Sequence, residues 1–224
     1  MVTRVLDLFC GAGGASVGYY RAFGPDCEIV GVDIVSQPRY PFAFVQADAL
    51  EYVAEHGGEF DFIHASPPCQ VHSVTSPLAR NGHLDLVATT RNALRKTGKP
   101  YVIENVPGAP LVSPLTLCGT MFGLRVIRHR LFEIWPESIW FPPAACSHNG
   151  RATSANTANR RGGGKNPGFK DGFAYITVSG HSFPAEDARR AMGIDWMTRD
   201  ELAQAIPPSY TEWIGRQLLA AIGG

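Results

Sequence analysis

In residues 62–73, FIHASPPCQVHS, an apolar run stops at Pro67 and Pro68 and is followed at once by Cys69 and Gln70. Two prolines fix φ and remove two backbone donors, so Cys69 is no ladder residue but stands where a strand gives way to a loop. In parallel α/β sheets ligands bind there, so the thiol is either a buried structural cysteine beside a turn or a candidate nucleophile. A second group, IENVPG at 103–108, closes another apolar run with Glu104 and Asn105. A carboxylate at a strand mouth near a thiol lets a nucleophile and an acid share one cleft. The third group is RHR at 128–130; in a strand, Arg128 and Arg130 point to the same face.

The stretch DLFCGAGG at 7–14 has the composition of a glycine loop between a strand and a helix, where backbone N–H groups come close to a nucleotide-like ligand. The dinucleotide fingerprint fails, because Ser16 stands where the third glycine belongs, and a nicotinamide cofactor loses ground. Asp33 ends a second strand-like run and suits a ribose diol; Asp48 ends a third and can accept from an exocyclic adenine amine. Loop, acid and acid at successive strand ends describe an adenosine pocket.

The elements that must position these groups are read from periodicity. RVLDLF, EIVGVDI, FAFVQAD, FDFIHAS and PYVIENV read as five strands. Helical patterns fall between some of them: SVGYYRAF, ending at Gly24 and Pro25, and LDLVATTRNALRKTG, with a basic last turn. Alternating strands and helices give an α/β fold with a doubly wound, mostly parallel sheet. Residues 118–145 read as an aromatic hairpin leaving the parallel layer, and 146–172, rich in Gly, Asn, Ser and Arg, as a mobile loop. AYITVSG then returns as a strand, AEDARRAMG as a helix, and PPSYTEWIGRQLLAAI as a closing helix opened by Pro207 and Pro208. The expected division is a core at 1–130, a reduced recognition region at 131–174 and a return to the core at 175–224.

At 224 residues the chain suits one sizeable core. Its formal net charge of zero argues against a protein that coats nucleic acid without selection. Charge is unevenly placed, however. Residues 26–61 are acidic with Arg39 as the sole Lys or Arg, whereas 151–170 carry Arg151, Arg160, Arg161, Lys165 and Lys170 and no acid, a segment suited to a polyanion. Cys10, Cys27, Cys69, Cys118 and Cys146 include no CxxC pair, so neither a disulfide framework nor a zinc site is signalled. Cys146 and His148 make half a metal set without a second pair, and no metal is expected. No apolar run has the length of a membrane span and the N-terminus has no leader pattern, so an intracellular, cytoplasmic protein is expected.

Taken in order, DLFCGAGG, PPCQ, ENV and RHRLFE resemble the blocks of the DNA cytosine-5 methyltransferase family, in a small bacterial or phage-type form. The resemblance implies a Rossmann-like fold dependent on S-adenosylmethionine, with Cys69 adding to cytosine C6, Glu104 managing the proton at N3, Arg130 steering O2 and the acid, and Arg128 in support. It implies cofactor contacts from Phe9, Gly11, Gly13, Gly14, Asp33, Ile34, Asp48, Ala49 and Pro68. Substrate contacts are implied for Pro67, Gln70, Asn105, Arg151, Arg160, Arg161 and Lys165, with a monomer acting on double-stranded DNA whose cytosine is flipped out. AEDARRAMG resembles a further block through Glu186 and Arg189, whereas Ala203 and Gln204 depart from the family's last block. Two other readings are an RNA (tRNA) cytosine-5 methyltransferase of the same fold and a noncatalytic S-adenosylmethionine-dependent DNA-binding protein.

Overall fold

Runs of β-branched and aromatic residues form the strands of the computed structural model, which describes residues 2–68, 86–137, 145–149, 174–180 and 183–222. The strands are β1 (Arg4–Leu8), β2 (Glu28–Asp33), β3 (Ala43–Gln46), β4 (Phe62–Ala65), β5 (Tyr101–Asn105), β6 (Leu115–Leu117) and β7 (Arg130–Trp135). They make one seven-stranded sheet in the order β3-β2-β1-β4-β5-β7-β6. The pairs from β3 through β5 are parallel, whereas β7 runs antiparallel to both β5 and β6. The expected doubly wound α/β class is borne out. The strand order reverses between β1 and β4, so a crevice opens where the glycine loop and the PPCQ segment leave the sheet.

The helices are α1 (Gly14–Phe23), α2 (Ala49–His56), α3 (Leu86–Thr97), α4 (Ala185–Met192), α5 (Arg199–Gln204) and α6 (Pro208–Ile222). The period of two along the strands sorts the core into layers. Val5, Ile29, Phe62 and Val102 join one cluster with Tyr19 of α1 and Ile214 of α6. Leu6, Leu8, Ile63 and Ile103 join another with Val53 of α2 and Leu94 of α3. Every position of β4 and β5 is buried, as expected for strands covered on both faces. Alternation also puts Asp7, His64 and Glu104 on the same face as Val5, Phe62 and Val102, so three polar side chains are buried toward α1 and α6. A third cluster, with Val126, Ile176, Phe183, Met192 and Leu202, seats the C-terminal part over Ala12 of the glycine loop.

Three expectations are corrected. The run after residue 118 does not leave the layer, because β7 bonds to β5 through the full register Tyr101↔Trp135 to Asn105↔Leu131 and extends the sheet. AYITVSG does not return as a strand; its pairing is a single bridge, Val126↔Ile176. RHR is not a strand tripeptide either, since β7 begins at Arg130 and Arg128 lies before it.

Candidate active site

The glycine loop is shaped by backbone that few side chains tolerate. Phe9 has φ 56° and Gly11 φ 50°, and a side chain at Gly11 would enter open space. The loop therefore presents a bare concave backbone at Gly11. Gly13 and Gly14 do other work: a Cβ at Gly13 would strike Tyr40 and Pro41, and one at Gly14 the backbone of Ile206. Both are packing glycines that let α1 approach its neighbours. Asp33 commits Oδ2 to Gly11 N at 3.0 Å and Oδ1 to Val35 N at 3.0 Å, joining the end of β2 to the loop. Beside it Ile34 and Val35 are 67% and 60% exposed, an apolar ledge at the strand end. Asp48 caps α2, with Oδ1 accepting from Leu50 N at 2.8 Å and Glu51 N at 3.0 Å. Ala49 is packed into the second core cluster.

Beneath the loop Asp7 is buried. Its Oδ2 accepts from Ser16 Oγ, which lies 2.6 Å from Tyr40 OH; with the serine proton on Asp7, the tyrosine donates to the serine. Burial pushes the Asp7 carboxyl up to about 7, against the pull of Ser16. Asp7 Oδ1 has no hydrogen-bond partner among the described residues.

At the mouths of β4 and β5 a second polar chain runs through the layer. Tyr19 OH lies 2.9 Å from His64 Nδ1, and His64 Nε2 lies 3.0 Å from Ser66 Oγ. The Ser66 hydroxyl also favours the ionised Glu104 carboxyl. One proton arrangement serves all three contacts with Glu104 ionised: Tyr19 donates to Nδ1, Nε2–H donates to Ser66, and Ser66 donates to the carboxylate. Burial holds the imidazole down to about 3, so His64 is neutral as this arrangement requires. Burial raises the Glu104 carboxyl above its usual range, with Arg130, Arg128 and Ser66 opposing the rise. Arg130 Nε stands 2.9 Å from Glu104 Oε1. That oxygen has no aligned hydrogen bond, so the contact is a charge pairing with directional capacity left over. Asn105 donates from Nδ2 to Pro67 O at 3.0 Å and accepts Val106 N at 2.9 Å. It thereby ties the end of β5 to the loop that carries the thiol.

The two arginines part company. Arg130 meets the acid, whereas Arg128 is buried and donates to Val178 O and, at 2.8 Å, to Ala203 O, with its own carbonyl accepting from Tyr210 OH at 2.5 Å. Arg128 straps the C-terminal part to the sheet, while its charge, with that of Arg130, still acts on Glu104. Pro67 is buried and Pro68 exposed. Arg189 donates Nε and Nη2 to Met197 O, and Trp196 Nε1 donates to Ala12 O at 2.8 Å, so the EDARRAMG block holds the loop from behind. Cys69, Gln70, Arg151, Arg160, Arg161 and Lys165 lie outside the described residues. Sequence reasoning gave no role to Asp7, Tyr40, His64, Tyr19 or Ser66. A histidine alternating with apolar residues in FIHAS was the available signal.

No family model matches the chain. A curated relative, the ribosomal RNA large subunit methyltransferase K/L of Pseudoalteromonas atlantica, is 29% identical over 104 residues, 41% of this chain. The match spans only 15% of that protein's length. Among solved structures, a candidate DNA modification methyltransferase encoded within an E. coli prophage superposes with a TM-score of 0.66 at 16% identity, covering 99% of this chain and 100% of its own. The S. pombe Dnmt2 methyltransferase superposes with a TM-score of 0.63 at 15% identity, with the same coverage of both chains. The fold is the Rossmann-like methyltransferase fold that these structures share. No described helix is long and apolar enough to cross a membrane.

Proposed function

We propose that the chain transfers a methyl group to C5 of cytosine in DNA, with Cys69 as nucleophile. The observation that carries the reading is the joint at the mouths of β4 and β5: a buried carboxyl paired with Arg130, and Asn105 tethering Pro67, two residues before the thiol. Cytosine C5 is too electron-poor to attack a methyl donor unaided. Addition of the Cys69 thiolate to C6, with a proton delivered to N3 from Glu104, converts C5 into an enamine carbon. A raised Glu104 carboxyl is suited to that task, because it keeps its proton closer to neutral pH than an exposed acid does. Arg130 orients the acid and offers its remaining donors to O2. Loss of the C5 proton and expulsion of Cys69 then restore the thiolate and the aromatic ring.

The loop fits S-adenosylmethionine: bare backbone at Gly11, Asp33 locked beside it for a ribose, and the Ile34–Val35 ledge for an adenine face. When bound there, S-adenosylmethionine supplies the methyl group as an electrophile. Gly14 and Ala49 are left out of this set because packing explains them.

Coarser support for nucleic-acid methylation comes from the fold and from the relatives' names, which include DNA and ribosomal RNA enzymes. The ribosomal RNA relative gives the RNA reading its weight. The test is to express the protein in a host lacking 5-methylcytosine and map that base in both DNA and RNA, alongside Cys69→Ser. Methylation confined to DNA and lost in the variant supports the reading. Marks confined to RNA move the substrate, and equal activity in the variant removes the covalent route.

A further inference from the structure

Register in the antiparallel edge of the sheet puts an unexpected pair side by side. Leu117 of β6 faces Arg130 of β7, so the next residues outward, Cys118 and His129, are also opposite each other. Residues 145–149 cross this edge and bring Cys146 and His148 to it. His148 Nε2 lies 3.4 Å from Cys118 Sγ, and His129 Nε2 lies 3.8 Å from Cys146 Sγ. One ligand atom from each of the four residues lies within 4.8 Å of all the others. From sequence only the Cys146–His148 half was visible; the partners stand 17 to 30 positions earlier and are joined to it by the fold.

We propose that Cys118, His129, Cys146 and His148 form a structural zinc site. Tetrahedral zinc, with bonds of about 2.3 Å to sulfur and about 2.05 Å to nitrogen, sets sulfur and nitrogen ligands about 3.6 Å apart. The two sulfur–nitrogen separations, 3.4 and 3.8 Å, straddle that value. Two thiols and two imidazoles are a complete donor set for zinc and leave no open position for a reacting water, so the role is to hold chain rather than to catalyse. Binding releases two thiol protons, and two thiolates neutralise the dication. Thr120 Oγ1 donates to Cys118 Sγ at 3.5 Å, an outer contact of the kind that steadies a bound thiolate. The site holds residues 145–149 beside Arg130, whose Nη1 donates to His129 O at 2.9 Å.

The experiment is elemental analysis of the full chain purified without chelators or a histidine tag, followed by cobalt substitution. The expected result is about one zinc per chain, and on replacement the red d–d bands and thiolate charge-transfer absorption of tetrahedral cobalt. Cys146→Ser and His148→Ala change residues of an exposed segment, so they should keep the circular dichroism of the parent while metal affinity falls by at least about 100-fold. Thr120→Val should weaken it by about 10-fold, and Cys27→Ala should change nothing. A reduced, folded protein with only trace metal and no cobalt spectrum would overturn the proposal. So would a Cys118–Cys146 disulfide in the protein as isolated, or metal retained by both segment variants.

Discussion

Asp7 and Glu104 are two buried carboxyls on one face of the same sheet, both raised by burial, yet their surroundings differ in kind. Asp7 meets hydroxyl groups: Ser16 directly and Tyr40 through it. Glu104 meets a cation, Arg130, together with a hydroxyl that is itself held by a neutral imidazole. An acid among hydroxyls can be satisfied in its neutral form and serves as a fixed joint between β1 and α1. An acid beside a guanidinium is drawn both ways, toward its proton by burial and toward charge by Arg130, which is the condition for moving a proton during a reaction.

The largest expected effect separates the two roles. Glu104→Gln should lower methyl transfer by up to about 10⁴-fold, the scale of a lost general acid, while Asp7→Asn stays within about tenfold of the parent. Comparable losses in both variants, measured as single-turnover rates, would erase the distinction. The second effect concerns stability. Asp7 has a folded value of about 7 against an ordinary 3.8, so between these values the folded chain keeps a proton that the unfolded chain has released. Stability therefore falls as pH rises through that window and levels off above it, by about 4 kcal/mol at most for a shift of this size. Urea denaturation at pH 5 and pH 8 should show this fall in the parent and a smaller one in Asp7→Asn.

Ser66→Ala sharpens the comparison further. Removing a hydroxyl that favours ionised Glu104 should raise that acid and move the alkaline limb of the kcat/KM profile to higher pH. An unmoved limb would mean that the hydroxyl chain does not set the acid. The smallest effect is a control at a third, exposed acid. Asp48→Ala should cost about 1 kcal/mol of stability through the lost helix cap, read as a lower urea midpoint.

The parallel half of the sheet was legible because each strand is a short apolar run ending at a loop residue with chemistry of its own, as in FDFIHAS before PPCQ. Glu104, Asn105 and Arg130 were legible for the same reason, being strand-end residues in a recognisable order. That RHR is not a strand tripeptide was not legible, because the apolar run continues through RLFEIW and only the pairing shows that Arg130 is the first strand residue. AYITVSG has the composition of a strand, but its contacts tie it to residues 125–127 by a few bonds and by packing in the third cluster. The Cys118–His129 pairing was hidden because it depends on the register between β6 and β7, which no spacing in the chain reports.

Trp196 reaches Ala12 O across 184 positions, and Thr211 Oγ1 reaches Ala15 O across 196. The backing of the glycine loop is thus synthesised long after the loop itself. During translation, β1 and α1 emerge without the residues that press on Gly14 and Gly18, which come from 206–212. A ribosome stalled short of Thr211 holds a chain whose ligand loop has no back wall. Emergence of residues 196–212 is in that sense the step that arms the molecule, and closure over so long a separation is slow compared with a local hairpin.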